Sequence, residues 1–186
     1  MAIDLSLLEK CKSGRRRAQH DLYVRCYPIM MAICQRYERN KDDAESLLNQ
    51  AFLKVLNKLD IYKEEIPFDA WVRRITINTA IDELRRKKRS KLDYMEEPSD
   101  VGDLSKMDYN QAELNFNEEN LLRLIRKLPP LSQKVFNLYV IDGYSHQEIA
   151  QQLKMSEGTS KWHLSNARKK LKAFLHKLMN NVALLL

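Results

Sequence analysis

Apolar residues recur at steps of three and four along most of this chain, and that spacing limits its fold more than any other feature. The clearest segment runs from Asp42 to Leu59, where the apolar positions fall on one side of a helix. Its start carries three acidic residues, Asp42, Asp43 and Glu45, and negative charge there interacts favourably with the positive end of the helix dipole. Only four glycines and five prolines interrupt the 186 residues. The sequence therefore predicts an all-α protein.

Besides a short leading helix that ends near Gly14, two more helices are predicted in the first half of the chain. One carries apolar residues across 22–37. The other begins near Phe68, because Pro67 cannot continue a helix, and it runs to about Lys88. The predicted core side of this last helix consists of Ala70, Trp71, Ile75, Ile77, Ala80, Ile81 and Leu84, and its polar side of Arg74, Asn78, Asp82, Arg85 and Arg89.

The charges divide the chain into three parts. Residues 1–90 hold 19 basic and 13 acidic side chains, residues 91–120 hold 2 and 9, and residues 121–186 hold 11 and 3. Two basic parts on either side of an acidic one indicate two polyanion-binding modules joined by a linker of opposite charge. We therefore expect small helical domains at 1–91 and 116–186, joined by an acidic, flexible linker at 92–115.

The second module is predicted to contain a helix-turn-helix. Ser132 is expected to cap its second helix, and Gly143 to supply the turn that follows. Ser145, with Glu148 three residues on, forms a capping box for the next short helix. A tight turn then leads to a long final helix capped by Ser156, which is typical of this motif. The first helix of the module ends at a pair of prolines, and its apolar positions are Phe116, Leu121, Leu124, Ile125 and Leu128.

The final helix carries donors, cations and one aromatic residue on its outer side, and these suit the phosphates and base edges of a major groove. The alternative is a solvated helix in a bundle. Trp162 argues against that alternative, because a tryptophan opposite the core stripe is unfavourable to leave in water. The exposed positions are predicted to be Thr159, Ser160, Lys161, Trp162, His163, Ser165, Asn166, Arg168 and Lys169.

A second candidate surface combines aromatic and cationic side chains. Six cations occupy residues 85–91, and Tyr62, Phe68 and Trp71 precede them. Aromatic faces stack on unpaired bases while cations pair with phosphates, so the combination suits single-stranded DNA. Asn78 is an amide suited to line a pocket for an extruded base. The alternative is a solvated, charged helix end.

These motifs resemble the extracytoplasmic-function (ECF) sigma factors of bacterial RNA polymerase. Residues 68–78 resemble their minus-10 melting segment, residues 43–52 their polymerase-binding helix, and short motifs within 128–168 their minus-35-reading domain. The three blocks stand in the family's order. The resemblance implies a sigma factor with two helical domains, a region 2 bundle and a region 4 helix-turn-helix, that binds core polymerase and directs promoter-specific transcription initiation.

The resemblance also implies partners and a role for individual residues. The partners are core RNA polymerase and promoter DNA, and an anti-sigma factor is a further partner that the family often uses. The clamp helices of the largest polymerase subunits would contact Asp42, Asp43, Glu45, Asn49 and Gln50. The minus-10 strand would contact Tyr62, Phe68, Trp71, Arg74, Asn78, Arg85 and Arg86. The minus-35 duplex would contact Thr159, Lys161, Trp162, Ser165, Asn166, Arg168 and Lys169.

Other classes of function find less support in the sequence. It holds no Gly-rich phosphate loop and no His/Cys metal spacing, so we expect no catalytic residues, metal, cofactor or small-molecule substrate. Cys11, Cys26 and Cys34 lack Cys-x-x-Cys spacing and are expected to be free thiols in a cytoplasmic protein. No apolar run is long enough to insert into a membrane. A stand-alone helix-turn-helix repressor or activator is the main alternative, but it gives the first half of the chain no role.

Overall fold

The computed structural model describes residues 3–38, 40–92 and 118–183. The chain divides into two compact units between Ser90 and Lys91. All regular structure within the described ranges is helical, which confirms the all-α prediction. Except for Leu92, the predicted linker lies outside the described residues, as does Phe116.

In the first unit the helices are α1 (Leu5–Lys12), α2 (Arg16–Tyr37), α3 (Lys41–Asn57) and α4 (Phe68–Leu92), with a 3-10 turn at Leu59–Ile61 between the last two. Helix α3 packs against α2 along the predicted apolar stripe. Burying that stripe removes apolar surface from water and fixes the exposed side of α3. Its buried residues are Ala44, Leu47, Leu48, Ala51, Phe52 and Val55.

Helix α4 buries a side that is more polar than its sequence pattern predicted. Ala70 is exposed, whereas Val72 joins the core in its place. Thr76 and Thr79 are also buried, and their hydroxyls donate to the carbonyls of Val72 and Ile75 at 2.8 Å. Because these bonds satisfy the hydroxyls inside the helix, the two threonines can be buried, although the predicted core side did not include them. The predicted core residues Ile75, Ile77, Ala80 and Ile81 are buried.

In the second unit the helices are α5 (Glu118–Arg126), α6 (Pro130–Phe136), α7 (His146–Leu153) and α8 (Glu157–Ala183), with a π turn at Asn137–Ile141. Helix α8 packs against α6 and α7, as a helix-turn-helix requires. A cluster that joins α5 to α8 consists of Leu124, Ile125, Leu128, Ala167 and Leu171, with Phe136, Phe174 and Leu175 packed against it.

The predicted caps around the helix-turn-helix are confirmed. Ser145 and Glu148 form a reciprocal capping box at the start of α7. The Ser156 hydroxyl accepts the Thr159 N–H at 3.0 Å at the start of α8. Between the two helices Lys154 takes a left-handed conformation, with φ of 52°. Gly143 has φ of +76°, which glycine tolerates without strain, so it supplies the predicted turn.

One prediction about the start of this unit is wrong. Ser132 does not cap α6, because Pro129 precedes the helix and Pro130 occupies its first turn, where the fixed φ of proline suits helix initiation. Ser132 is instead completely buried inside the unit. Leu121, one of the apolar positions predicted for the first helix of the unit, lies in α5 and is 50% exposed.

Candidate nucleic-acid and partner-binding surfaces

The start of α3 is an exposed acidic helix end. Asn40 caps it: the Asn40 side-chain oxygen accepts the Asp43 N–H at 2.7 Å, and its amide nitrogen donates to the Asp43 carboxylate at 3.0 Å. Asp42 is exposed beside Asp43. Both carboxylates interact favourably with the positive end of the helix dipole. The structure therefore keeps negative charge at the first positions predicted to contact polymerase.

The rest of that face combines a carboxylate with two amides. Glu45 is half-buried, with Oε1 3.7 Å from Lys41 Nζ. Asn49 is exposed and accepts a hydrogen bond from the Tyr23 hydroxyl at 3.1 Å. Gln50 is exposed. All five predicted polymerase-binding residues thus lie on one helix whose opposite side is buried.

Sequence reasoning missed an apolar residue beside this face. Tyr23 packs edge-on against Phe52, with ring centroids 5.0 Å apart, which places α2 next to Asn49. Leu53 follows Asn49 by four residues, so it lies on the same side of α3, and it is 58% exposed. The available signal was that Leu53 falls outside the apolar stripe of its helix. The candidate partner surface is therefore part apolar.

Three aromatic rings meet at the start of α4. The ring centroids of Tyr62, Phe68 and Trp71 lie 5.1 to 5.6 Å apart. The Tyr62 hydroxyl donates to the Ile66 carbonyl at 2.8 Å and closes the loop before α4. Tyr62 and Trp71 are half-buried, but Phe68 is only 2% exposed. The prediction that Phe68 contacts DNA is therefore corrected: its ring supports the other two from inside.

A row of polar side chains continues along α4 from this aromatic cluster. Arg74 and Asn78 follow Trp71 at steps of three and four, so all three lie on one side of the helix. Arg74 and Asn78 are both exposed. The structure thus places Trp71, which the apolar pattern had assigned to the core side of α4, on the same side as the cation and the amide.

The arginines further along α4 are paired with acids. Arg85 Nη1 lies 3.4 Å from Asp82 Oδ1, and Arg86 donates two hydrogen bonds to Glu83, at 2.9 and 2.7 Å. The hydrogen bond from Arg86 holds the pKa of Glu83 below its usual value. These local pairs reduce the positive charge that Arg85 and Arg86 present to a polyanion.

The outer side of α8 is exposed largely as predicted. Trp162 is 62% exposed, and its ring packs edge-on against His163 with centroids 4.8 Å apart. The structure differs at three positions: Ser160 is completely buried, and His163 and Asn166 are half-buried. The other predicted minus-35 contacts are exposed: Thr159, Lys161, Ser165, Arg168 and Lys169.

Two serine–histidine hydrogen bonds tie α8 to the helices before it. His146 Nδ1 lies 2.9 Å from Ser160 Oγ, and His163 Nδ1 lies 3.1 Å from Ser132 Oγ. The Asn166 amide also donates to Ser132 Oγ, at 3.2 Å. Burial lowers the pKa of both imidazoles, and for His146 the cation of Lys161 lowers it further. The rings therefore favour the neutral state.

We expect the second unit to lose stability as the pH falls below 6.5, the ordinary pKa of histidine. The folded state binds protons on His146 and His163 less readily than the unfolded chain, so acid favours unfolding. In a Trp71→Phe background, Trp162 reports the second unit alone, and urea unfolding followed by its fluorescence at pH values of about 7.5 and about 5.5 measures the effect. Replacing both histidines with glutamine should remove most of the difference. If the double glutamine variant loses as much stability between the two pH values, the pH dependence comes from other titratable groups.

The cysteines are buried and free, as predicted. Burial raises the pKa of Cys26 and of Cys34 to about 12, so these thiols stay neutral and pack as small apolar groups. Within the described ranges, no group of three or more His, Cys, Asp or Glu side chains is placed to hold a metal ion. None of the described helices has the length and apolar character needed to cross a membrane.

Comparison with known proteins matches each unit to a separate family model. The model for Sigma-70 region 2 matches residues 22–90, and the model for Sigma-70, region 4 matches residues 118–171. The ECF RNA polymerase sigma-E factor of Escherichia coli (strain K12) is 30% identical over 173 residues, which cover 89% of this chain and 90% of that protein. The ECF RNA polymerase sigma factor SigE of Mycolicibacterium smegmatis is 27% identical over 154 residues, or 81% of this chain and 59% of that protein.

A solved structure shares the fold. The sigma factor RpoE from Bartonella quintana, in complex with the anti-sigma factor NepR, is 20% identical, with a TM-score of 0.51 over 84% of this chain and 96% of that one. The two region models together match most of the chain, and the E. coli relative is aligned over most of both chains. The chain belongs to the ECF group of the sigma-70 family, the sigma factors of transcription initiation.

Proposed function

We propose that this chain directs core RNA polymerase to particular promoters by binding their DNA at two places. The first unit binds the polymerase and the unpaired minus-10 strand, and the second unit reads the minus-35 duplex. One observation carries the proposal: each unit buries one side of a long helix, α4 or α8, and exposes on the other side the residue types that nucleic acid binds. Phosphodiester chemistry belongs to the polymerase.

The aromatic cluster supports minus-10 binding in the first unit. Tyr62 and Trp71 are held by Phe68 with part of each ring exposed, beside Arg74 and Asn78. Stacking one base on such a ring contributes about 1–3 kcal/mol. Unstacking one base step costs a few kcal/mol, so two stacked bases offset about one melted step. Asn78 then serves as a hydrogen-bonding partner for an extruded base.

The exposed side of α8 supports minus-35 reading in the second unit. A helix of this kind enters the major groove with its first turns against the bases. Lys161 and Ser165 supply donors for base edges, and Arg168 and Lys169 pair with phosphates. Trp162 supplies a large apolar contact, for which the methyl group of thymine is a natural partner.

The exposed face of α3 is the proposed site for core polymerase. Asp42 and Glu45 offer negative charge, while Leu53 on the same helix offers apolar contact. Such a mixture suits a protein partner better than DNA, which repels carboxylates. An anti-sigma factor is proposed as a further partner, because the solved relative RpoE is bound to one.

Reconstitution with core polymerase tests the proposal. The full chain is mixed with core enzyme and genomic fragments, the bound DNA is sequenced, and the recovered fragments serve as templates for run-off transcription. We expect transcripts from defined starts with the chain present and none with core enzyme alone. A chain that ignores core polymerase, or that binds DNA by itself and blocks transcription, would be a stand-alone repressor instead.

The arginines of α4 are expected to contribute unequally to the salt dependence of DNA binding. Replacing exposed Arg73 and Arg74 with alanine should lower the slope of log affinity against log salt by about 0.7 for each phosphate that is no longer neutralised. Replacing Arg85 and Arg86 should change it less, because both are paired with acids. Titration of the holoenzyme with a single-stranded minus-10 oligonucleotide at several salt concentrations measures both. Equal slopes for the two double variants would contradict the assignment.

A further inference from the structure

Ser132 connects α6 to the recognition helix α8 by two hydrogen bonds. It is completely buried, with Oγ 3.1 Å from His163 Nδ1 and 3.2 Å from Asn166 Nδ2. The two partners are three residues apart, so they lie on the same side of α8. A buried hydroxyl that holds two side chains of one helix limits the positions that both can take.

The hydrogen-bonding inventory of these groups fixes the direction of the bond between Asn166 and Ser132. A serine hydroxyl donates once and accepts up to twice. The Asn166 amide can only donate to Ser132 through its nitrogen, so Ser132 accepts there. Ser132 Oγ also bonds His163 Nδ1, which accepts from the hydroxyl in one tautomer of the neutral ring and donates to it in the other. In both tautomers Ser132 accepts the N–H of Asn166 while it is held by His163.

This arrangement leaves part of the Asn166 amide available at the edge of the recognition surface. An amide has two N–H groups and one carbonyl oxygen, and Ser132 uses one N–H. The second N–H and the oxygen remain, and these are the two groups that an asparagine offers to an adenine in the major groove. Asn166 is half-buried and follows exposed Trp162 by four residues, on the same side of α8.

We propose that Ser132 is a positioning residue for base recognition: it holds the Asn166 amide in one orientation so that its remaining donor and acceptor meet a single base edge of the minus-35 duplex. This inference rests on the proposed function, since it requires α8 to lie in the major groove. Ser132 touches no DNA itself. Its effect on base preference acts through Asn166. Without Ser132, the Asn166 side chain would have to be ordered when DNA binds, and this entropy cost weakens binding to the preferred base.

The matched control is Ser160. It is also completely buried on the inside of the same unit and is hydrogen-bonded to a histidine, His146, but no hydrogen bond joins it to Asn166 among the described residues. Ser132→Ala and Ser160→Ala therefore remove equivalent buried hydroxyls, and only the first should alter the orientation of Asn166. A general loss of folding stability would affect both variants alike.

The test measures holoenzyme binding to a set of promoters that carry each base pair at each minus-35 position. Ser132→Ala is expected to reduce the preference at one position by about two- to tenfold, and Ser160→Ala to leave the profile unchanged. In an Asn166→Ala background, Ser132→Ala should change the profile no further. Ser132→Cys, similar in shape and a weaker acceptor, replaces Ser132→Ala if thermal unfolding shows that the latter does not fold.

The outcomes separate the two proposals. A wild-type holoenzyme with no minus-35 preference at all would overturn the proposed function and this inference together. A clear wild-type preference that Ser132→Ala leaves intact, or that Ser132→Ala still alters in the Asn166→Ala background, would overturn the inference alone. Equal changes in the Ser132→Ala and Ser160→Ala profiles would also overturn it, because they would assign the effect to stability.

Discussion

Replacing Trp71 with alanine is expected to lower the yield of open promoter complexes about five- to 150-fold, the equivalent of one base stack of about 1–3 kcal/mol. Trp71 is half-buried, and its ring lies 5.1 Å from that of Tyr62 and 5.6 Å from that of Phe68. The cluster holds the ring in place before DNA arrives, so little ordering opposes the stack. Permanganate footprinting of unpaired thymines measures the melted strand directly.

The control is Trp71→Phe, which keeps an aromatic face at the same position. It should retain most of the melting activity, because stacking depends on the presence of an aromatic ring face and less on which ring provides it. Binding to core polymerase should be unchanged in both variants, since the proposed polymerase face lies on α3. Wild-type melting by a folded Trp71→Ala variant would show that Trp71 only packs against Tyr62 and Phe68.

The helices could be predicted from the sequence because a buried stripe depends on spacing along one element. Leu47, Leu48 and Ala51 are buried where the periodicity placed them. The capping box of Ser145 and Glu148 could be predicted for the same reason, since both partners lie within one turn. Apolar stripes and capping boxes depend on residues close together in the chain, so both can be predicted from the sequence.

Features that depend on partners far along the chain were mispredicted or missed. Ser132 has the residue type of a helix cap, but its hydroxyl meets His163 and Asn166, which are 31 and 34 residues away. Phe68 and Trp71 look alike in an aromatic and cationic stretch, yet Phe68 faces the core because α4 turns it inward. Residue types were therefore enough to predict the candidate DNA surfaces. The fold was needed to show which side chain supports the surface from inside and which one is exposed to contact DNA.

A cation in the basic run of α4 illustrates the same limit. Lys87 was one of six cations that suggested DNA binding, but its ammonium lies 3.0 and 2.9 Å from the two carboxylate oxygens of Glu38, 49 residues away at the end of α2. Burial opposes the charge on Lys87, and the hydrogen bond and charge of Glu38 outweigh it and raise the pKa of Lys87. Lys87 therefore joins α2 to α4 and presents less charge to DNA.

We expect Lys87→Met to destabilise the first unit by about 1–3 kcal/mol, because it leaves the Glu38 carboxylate without its ammonium partner. The Glu38 side chain is 8% exposed, so water cannot fully replace the hydrogen bonds of Lys87. The Lys87 side chain is 42% exposed, which places the loss below the figure of about 3–5 kcal/mol for a pair buried on both sides. Adding Glu38→Gln should recover most of the stability, because the buried charge itself is then gone.

The two tryptophans make this cycle measurable in the full chain. Trp71 lies in the first unit and Trp162 in the second, so Trp162→Phe as a common background leaves Trp71 to report the first unit alone in urea unfolding. The single variants, the double variant and the parent then give the coupling energy between Glu38 and Lys87. If Glu38→Gln fails to rescue Lys87→Met, the loss comes from the packed stem of the lysine, and the ion pair does not fix α4 against α2.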